Sequence, residues 1–427
     1  MVNAPEWVTS ELYNNGYPID TEVFVYSDTA DPNNQYRYPR VYTFDNSTIV
    51  SDSWSMQEAC NSGDTVELGV LNTKTLSITC RYPGYSFKYM FVKVKQTITN
   101  PNDNAETYSV YPMVGYISTE QVDENEFTVQ YNIVDMITYA INQDVRPSLI
   151  NPVIAVDNVL QIWFNVMSDA HMYCNSSSAP GKYWRMDTQV YPNLGRSINI
   201  NSVLSAAGST WKLSDFLKHF GETIGCNYRM SKRAVSVYYP DEYIYPAAES
   251  FIECVPPKFV FPGPSTYSLL YPSSTTYPHA STYDGFDGFP VAASIVDIPW
   301  YINSRAAVEH FVGYSLFRVY KGDTLVWSEG DYYSGQSYDV KDNPIVSNLP
   351  DITKMEGVAV KLLYANSCTG TLKFVVPINV EAGDLIRYKL KDGTEIVLPI
   401  TSVSTSGTHT LVASTSCTLE STKGGRI

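Results

Sequence analysis

The chain has 427 residues, which is too long for one ordinary hydrophobic core and predicts about three or four domains. Charged residues make up only 17%, against roughly 25% in an average soluble domain, and the net charge is −15. This acidity argues strongly against a protein that binds nucleic acid by neutralising phosphates with Lys and Arg. It is compatible with an acidic wall past which DNA slides without being trapped.

Tyrosine is the most conspicuous residue type, with 34 occurrences. A tyrosine ring offers a large contact area and a hydroxyl group at little entropic cost, so it suits subunit interfaces. Tyr, Thr and Val also favour strands, so the same composition is typical of a β-rich domain. The two interpretations are compatible with each other.

The cysteines and the absence of apolar runs indicate a reducing compartment and no membrane anchor. The seven cysteines form no CxxC pair, and their odd number leaves at least one thiol free. The first residues have neither a basic start nor an apolar core, so we expect no signal peptide. No run of about 18 apolar residues occurs, so we expect no transmembrane helix.

The first part of the chain reads as short strands with one helical break. Strands are predicted at residues 22–26, 40–44, 66–71 and 75–80. Between them, Ser53 followed by Gln57 and Glu58 predicts the capped start of a short helix, which ends at Asn61-Ser-Gly.

The next part alternates with period two. Residues 90–99 show the pattern of a half-buried strand, and Asn100-Pro-Asn-Asp predicts a turn. Strands at 108–118 and 127–131 continue the sheet, which predicts a small barrel or sandwich. Helical spacing begins at Asp135.

An amphipathic helix is predicted over residues 213–224, because its apolar residues fall on one stripe. Ser209 or Thr210 can cap this helix, and Gly225 ends it. The following residues, 227–238, predict a hairpin, so this unit is α+β.

The last part begins with an arm and returns to strands. Residues 262–290 are rich in Pro, Ser, Tyr and Gly, and they predict a long loop, a linker or a docking arm. Residues 381–400 contain two strands around a Lys-Asp-Gly-Thr turn, which is typical of a hairpin. Closing strands are predicted at 408–414 and 417–421.

No group of residues reaches the level of a catalytic, cofactor or metal site, so we expect no enzyme, cofactor or bound metal. His171 and Cys174, with Asp169 near, resemble half of a zinc site, but no second half follows. His219 reads as a surface or packed residue of the helix. Asp284 and Asp287 lack the dense acidic spacing of a calcium loop, so a turn is favoured.

A short acidic run stands out between two of the predicted strands. It is most simply a solvated hairpin tip, and the alternative is the wall of a pore. The run consists of Glu120, Asp123, Glu124 and Glu126.

Five segments, in order, resemble a family of phage tail proteins from Gram-positive hosts. The first is residues 46–71, where Ile49-Val-Ser, Ser55-Met, Glu58, Cys60 and Leu68-Gly match, while Trp54 and Val70-Leu71 depart from the pattern. The others are residues 111–137 with Tyr131-Asn and Asp135-Met, residues 211–230 with Gly225-Cys, then Asp342-Asn-Pro, and Val380-Glu-Ala-Gly-Asp-Leu-Ile.

The family is that of the baseplate hub, or tail-associated (Tal-like), proteins. The resemblance implies a mainly β fold with two tube-type β-barrel domains and smaller α+β domains. It also implies a homotrimer whose six barrels continue the tail tube. Many relatives carry a C-terminal peptidoglycan-degrading or fibre domain; the chain ends at Ile427 without one, so we expect no lytic activity.

We therefore expect four domains: an N-terminal tube β-barrel at 1–134, an α+β domain at 135–260, an arm and peripheral domain at 261–345, and a C-terminal β-barrel at 346–427. The expected function is a tail-tip virion protein, assembled in the host cytoplasm, that closes the tail tube and helps to form the DNA ejection conduit. Expected partners are the tail tube or distal tail protein, the tape measure protein, and a tail fibre or spike. The alternatives are a receptor- or carbohydrate-binding tail tip protein and a cell-wall hydrolase.

Overall fold

The structure is a computed structural model. It describes residues 5, 7–8, 18–35, 37–59, 67–141, 153–155, 184–185, 193, 197–199, 212–230, 233–234, 241–249, 252–255, 295–297, 307–311, 314–330, 336–363, 367–375, 380–382, 385–389, 395–406 and 414–421.

The fold is mainly β, as the sequence predicts, with large antiparallel sheets. The strands in the described part of the chain are β1 (Asp20–Tyr26), β2 (Tyr38–Phe44), β3 (Ser55–Ala59), β4 (Thr75–Arg81), β5 (Phe91–Asn100), β6 (Asp103–Asp123), β7 (Thr128–Asp135), β8 (Val153–Ala155), β9 (Trp184–Arg185), β10 (Ser197–Asn199), β11 (Asn227–Met230), β12 (Arg233–Ala234), β13 (Tyr243–Ile244), β14 (Ile252–Val255), β15 (Ile295–Asp297), β16 (Ala307–Phe311), β17 (Tyr314–Lys321), β18 (Thr324–Gly330), β19 (Gln336–Val340), β20 (Ser367–Val375), β21 (Leu385–Lys389), β22 (Glu395–Ser406) and β23 (Ser414–Ser421).

Helices are few and mostly short. They are α1 (Ile137–Ala140), α2 (Leu213–Ile224), α3 (Pro246–Glu249), α4 (Pro344–Ser347), a 3-10 helix (Ile352–Met355) and α5 (Glu356–Leu363). No helix in the described ranges is long and apolar enough to cross a membrane.

The N-terminal strands form one antiparallel sheet in the order β2-β1-β5-β6-β7-β4-β3. Alternation in the sequence explains the sheet, because one face of β4 buries Leu76, Ile78 and Cys80 while the residues between them are more exposed. These residues belong to a core that contains Trp54, Phe44 and other buried side chains from β1 to β7.

Strand β3 connects the two ends of the chain. It pairs with β4 on one side and with β22 on the other, in antiparallel register from Ser402–Ala59 to Ser406–Ser55. The C-terminal strands then continue the sheet in the order β22-β23-β20-β16. Residues separated by more than 300 positions are therefore neighbours in one sheet.

This sheet remains open in the described part of the chain. Its pairing path runs from β13 at one end to β16 at the other without returning to its start. The large antiparallel sheets are present, and closure of either half into a barrel stays a prediction. The predicted domain boundaries also stay predictions.

Helix α2 packs beside a smaller sheet and a second core. Its stripe of Leu213, Phe216, Leu217, Phe220 and Ile224 is buried, and Gly225 ends it with a left-handed φ of 71°, as predicted. Lys212 occupies the N-cap position; the predicted caps Ser209 and Thr210 lie outside the described residues. The second core contains Phe317, Val340, Val358 and Leu362, from the sheet β18-β17-β19 and helix α5.

The predicted helix after Ser53 is wrong, because residues 55–59 form strand β3. Met56 and Glu58 are buried, while Ser55, Gln57 and Ala59 are more exposed, which is the period of a strand. Ser53 caps no helix; its hydroxyl donates to the Thr79 carbonyl (3.1 Å) and accepts from the Thr79 amide (3.1 Å). Strand partners on both sides outweigh the local capping signal.

The predicted strand at 66–71 is also wrong in its described part, residues 67–71. Gly69 has a φ of 73°, and Leu71 makes only an isolated bridge to Tyr228. The segment is a turn, because its backbone amides bind the end of α2 and β11 and take no part in the large sheet.

The predicted hairpin at 227–238 is also wrong in its described part, residues 227–230 and 233–234. Strand β11 pairs with β14, and β12 pairs with β6. All four residues of β11 are buried, which a two-stranded surface hairpin could not provide. The hairpin of β21 and β22 is confirmed, with Lys389 opposite Glu395.

Candidate functional site: a buried junction of distant segments

Four of the family-like segments meet at one buried junction, which we call the motif junction. It contains the turn at residues 67–71, the end of α2 with β11, the residues around Asn343, and residues 380–382. These segments are far apart in sequence, so their meeting is a property of the fold.

The turn at 67–71 is hydrogen-bonded to the residues that follow α2. The Gly69 amide donates to the Cys226 carbonyl (2.8 Å), and the Val70 amide donates to Asn227 Oδ1 (2.9 Å). The Tyr228 amide returns a bond to the Val70 carbonyl (2.9 Å). The Leu-Gly element and the Gly-Cys element therefore satisfy each other's backbone groups.

Two glycines allow this close approach. A Cβ atom on Gly69 would lie 2.3 Å from the Lys218 carbonyl oxygen, and one on Gly221 would lie 2.3 Å from the Gly69 Cα atom. Gly69 also has the left-handed backbone that glycine adopts at no steric cost. The turn and the helix can touch backbone to backbone only because both positions lack a side chain.

Asn343, of the Asp-Asn-Pro element, binds two helices at once. Its side-chain oxygen accepts from the Ile345 and Val346 amides (both 3.0 Å), so it caps α4. Its side-chain nitrogen donates to the His219 carbonyl (2.9 Å) and to Glu222 Oε2 (2.8 Å) on α2. Asn343 is 1% exposed, so this single amide links α4 to the last turns of α2.

A buried ion pair lies where β3 meets the rest of the N-terminal sheet. Lys74 Nζ is 2.8 Å from Glu58 Oε2 and donates to the Pro112 carbonyl (3.1 Å). The Lys74 amide donates to the Asp135 carboxylate, which also accepts from the Thr138 amide and hydroxyl at the start of α1. Removing one member of such a buried pair costs about 3–5 kcal/mol, since the other charge is left unpaired.

The C-terminal Glu-Ala-Gly-Asp element contacts both Glu58 of the buried ion pair and Arg229 of β11. The Ala382 amide donates to Glu58 Oε1 (3.2 Å), and the Ala382 carbonyl accepts from Arg229 Nη1 (2.7 Å). Arg229 Nη2 is 3.6 Å from Glu381 Oε2. Residues 380–382 therefore connect β3 to β11 through charged groups that are almost fully buried.

The hydrogen bonds and ion pairs of the motif junction link distant segments of the chain. Burial raises the pKa of Asp135 to about 6, while its hydrogen bonds to Lys74 and Thr138 and the Lys74 charge act in the opposite direction. Burial also raises the pKa of the Cys80 thiol in the adjacent core, which makes it a poor nucleophile. In the described residues, no group of three or more His, Cys, Asp or Glu side chains could hold a metal ion.

The residues singled out from the sequence lie in different places. His219 is on α2, with Nδ1 3.7 Å from Glu222 Oε2, so it is a packed helix residue. The acidic run ends in the hairpin tip between β6 and β7, and Glu120 Oε2 accepts from the Phe87 amide (3.1 Å). The zinc-like and calcium-like groups lie outside the described residues; they are Asp169, His171, Cys174, Asp284 and Asp287.

An exposed aromatic rim, which sequence reasoning missed, lies beside this hairpin tip. We define it as Tyr82, Tyr85, Tyr89 and Phe127. The Tyr82 amide donates to the Phe127 carbonyl (2.9 Å), and the Tyr89 amide donates to the Ile117 carbonyl (2.8 Å), so the loop 82–90 lies along β6 and the tip. Three tyrosines, Tyr82, Tyr85 and Tyr89, lie within eight residues, and this clustering is the sequence feature that could have indicated the rim.

Two rim residues have strained backbones. Tyr89 has a φ of 70° with 63% of its surface exposed, and Phe127 has a φ of 52° with 74% exposed. Asn or Gly would adopt this left-handed conformation more easily, and neither ring gains much from burial. Strain combined with exposure is typical of residues kept for contact with a partner.

Comparisons with known proteins give matches at the level of structure. No protein-family model matches the chain, and no curated protein sequence matches it. The chain is similar to the tail protein from Neisseria meningitidis MC58, with 10% identity, coverage of 95% of this chain and 97% of that chain, and a TM-score of 0.49.

Two further solved structures are prophage tail proteins. The 43 kDa tail protein of prophage MuSo2 from Shewanella oneidensis has 9% identity, coverage of 93% of this chain and 97% of that chain, and a TM-score of 0.44. Tail protein gp18 from Listeria monocytogenes EGD-e has 9% identity, coverage of 95% of both chains, and a TM-score of 0.44.

Proposed function

We propose that the protein is a structural hub of a phage tail, which closes the tail tube at its distal end and forms part of the DNA ejection conduit. The observation that carries this proposal is the motif junction. Short sequence matches that arose by chance would have no reason to meet, whereas Leu68-Gly69, Gly225-Cys226, Asn343 and Glu381-Ala382 bond to one another or to shared elements. The resemblance to hub proteins is thus supported by physical contacts.

The sheet connectivity supports an extended wall. Because β3 pairs with β22, the N-terminal and C-terminal strands lie in a single continuous sheet within one chain. We propose that its halves belong to two tube-type barrels, at 1–134 and 346–427, with the α+β domain at 135–260 and the arm and peripheral domain at 261–345 between them. Three copies would then supply six barrels around one axis.

The charge and the surface fit a conduit within an assembly. A net charge of −15 lets DNA pass without specific binding, because like charges repel. The aromatic rim supplies a contact for another tail component, with the acidic hairpin tip beside it. We propose as partners the tail tube or distal tail protein, the tape measure protein, and a fibre or spike.

The test is imaging of the tail tip of assembled virions, together with the copy number of this chain. We expect three copies per tail, at the distal end of the tube. A single copy, or six, would overturn the hub proposal. Binding of glycans by the isolated protein would favour the carbohydrate-binding alternative, whose motivating segment 262–290 lies outside the described residues.

A further inference from the structure

A second buried charged cluster lies away from the motif junction, under the segment that carries β13 and α3. Its centre is Lys93 of β5, whose side chain is 0% exposed. Lys93 Nζ is 3.1 Å from Glu249 Oε2 and 3.5 Å from Asp241 Oδ1. Glu249 is 1% exposed, and Asp241 is 19% exposed.

The walls of this cluster are aromatic. Lys93 Nζ lies 5.0 Å from the centre of the Tyr111 ring and 5.6 Å from that of Tyr26. The same face of the sheet carries a small core that includes Phe24, Tyr38 and Ile244. Burial raises the pKa of the Tyr26 hydroxyl far above its usual range, and the nearby Glu249 and Asp241 carboxylates raise it further. The cluster is therefore largely shielded from water, and Lys93 lies between two carboxylates.

Hydrogen bonds fix each carboxylate in place. The Tyr111 hydroxyl donates to Asp241 Oδ1 (2.6 Å), and the Tyr26 hydroxyl donates to the Asp241 carbonyl (3.0 Å). Glu249 Oε1 accepts from the Tyr245 amide (2.9 Å). An amine, a carboxyl carbon and a second carboxylate are thus held together by the fold, which is the arrangement that condensation of an amine with an acid requires.

We propose that Lys93 and Asp241 form a covalent amide cross-link inside the folded protein, with Glu249 carrying the protons. Glu249 Oε2 lies 3.1 Å from Lys93 Nζ and takes a proton from it, which leaves an amine nitrogen with a free electron pair. Glu249 passes this proton to Asp241 Oδ2, because an ionised carboxylate does not accept a nucleophile. The amine nitrogen then attacks Asp241 Cγ, and the Tyr111 hydroxyl stabilises the negative charge that develops on Oδ1.

The remaining atoms leave as water. The bond between Nζ and Cγ forms, and the bond between Cγ and Oδ2 breaks. The nitrogen then releases a second proton, which Glu249 carries to Oδ2, so that Oδ2 leaves as water with both protons. The ammonium and the carboxylate become an amide and one water molecule, Glu249 returns to its carboxylate form, and no oxidant or reductant takes part. Asp241 is partly exposed, so the water has an exit.

Lys95 provides a matched control on the same strand. Its Nζ lies 3.3 Å from Asp241 Oδ2, closer than Lys93 Nζ lies to Oδ1, but its side chain is 21% exposed and is also 3.8 Å from Glu22. The carboxylates beside Lys95, on Glu22 and Asp241, are both partly exposed, whereas Glu249 beside Lys93 is 1% exposed. Proximity alone would favour Lys95, whereas the proposed mechanism requires Lys93.

The experiment is intact mass spectrometry of the full chain under denaturing conditions, followed by analysis of proteolytic peptides. We expect a mass lower than that of the sequence by one water molecule, and a branched peptide that joins Lys93 to Asp241. Lys93→Arg and Glu249→Gln should restore the full mass, and Lys95→Arg should keep the loss of one water. If a variant fails to fold, the mass of the wild-type chain and its branched peptide still test the proposed cross-link.

Other results would overturn the proposal. An unchanged wild-type mass after prolonged incubation at neutral pH would leave the cluster as an ion pair only. A branched peptide through Lys95, or loss of water that persists in Lys93→Arg, would assign the bond elsewhere. None of these readouts depends on assembly into tails, so the cross-link and the hub function can fail independently.

Discussion

At the residue scale, the buried polar groups have the largest individual effects. Glu58, Lys74 and Asp135 are each less than 7% exposed, and each is bonded to a segment other than its own. Glu58 is part of the sequence resemblance, yet its role is visible only from its contacts in the fold, which include Lys74 and the Ala382 amide. The local sequence of a short strand does not indicate that one of its charged residues will be buried.

Asp135 gives a prediction about pH. Its pKa is about 6 in the folded protein and 3.8 as the ordinary value, so the folded state binds the proton more tightly. The stability that comes from this group is therefore fully present below about pH 4 and is lost as the pH rises through about 6. The linkage amounts to about 3 kcal/mol. Urea unfolding of wild type and Asp135→Asn should show their difference in unfolding free energy changing by about this amount between pH 4 and 7.

The control is Glu124→Gln, which removes one carboxylate from the exposed hairpin tip between β6 and β7. Its difference from wild type should stay within about 0.5 kcal/mol across the same pH range. A pH-independent difference for Asp135→Asn would mean that Asp135 does not titrate in this window.

At the scale of elements, the contact between the turn at 67–71 and helix α2 determines how the N-terminal sheet meets the α+β part. We expect Gly69→Ala to lower the free energy of unfolding by about 2–4 kcal/mol. About 1 kcal/mol comes from the left-handed φ, and about 1–3 kcal/mol comes from the clash with the Lys218 carbonyl. Denaturant unfolding measures the change.

Gly322→Ala is the matched variant, because Gly322 also has a positive φ (59°) but nothing lies within 4 Å of its added Cβ. It should cost only about 1 kcal/mol, the conformational part. Equal losses in the two variants would show that the close approach of turn and helix is not important for stability.

At the scale of the whole molecule, we expect Tyr89 and Phe127 of the aromatic rim to lower folding stability while they promote attachment to tails. Tyr89→Asn and Phe127→Asn relieve left-handed strain, so together they should raise the free energy of unfolding by about 1 kcal/mol. The same double variant should attach less well to tails, because it loses two exposed rings. Copy number in purified tails and denaturant unfolding are the two measurements.

The control is Leu325→Asn, which removes an exposed apolar side chain from β18, outside the rim. This variant should enter tails as wild type does. Normal incorporation of the rim variant would show that Tyr89 and Phe127 are not a docking surface for tail components.

The amino-acid sequence by itself determined the elements whose patterns are local. Strand β5, the apolar stripe of α2 and the Gly225 stop are found where predicted, because each depends on spacing within one segment. The alternation of β5 is interrupted at Lys93, which is buried between Val92 and Val94. The sequence also supplied the ordered set of hub-like segments. It could not show that these segments touch one another.

Only the tertiary structure decided the features that depend on distant partners. Residues 55–59 became a strand because β4 and β22 bind both of its edges, despite a capping signal for a helix. Residues 227–230 pair with β14 and residues 233–234 pair with β6, so these residues do not form the predicted local hairpin. Backbone hydrogen bonds and burial across hundreds of residues outweigh local propensity, and a single segment's sequence does not encode them.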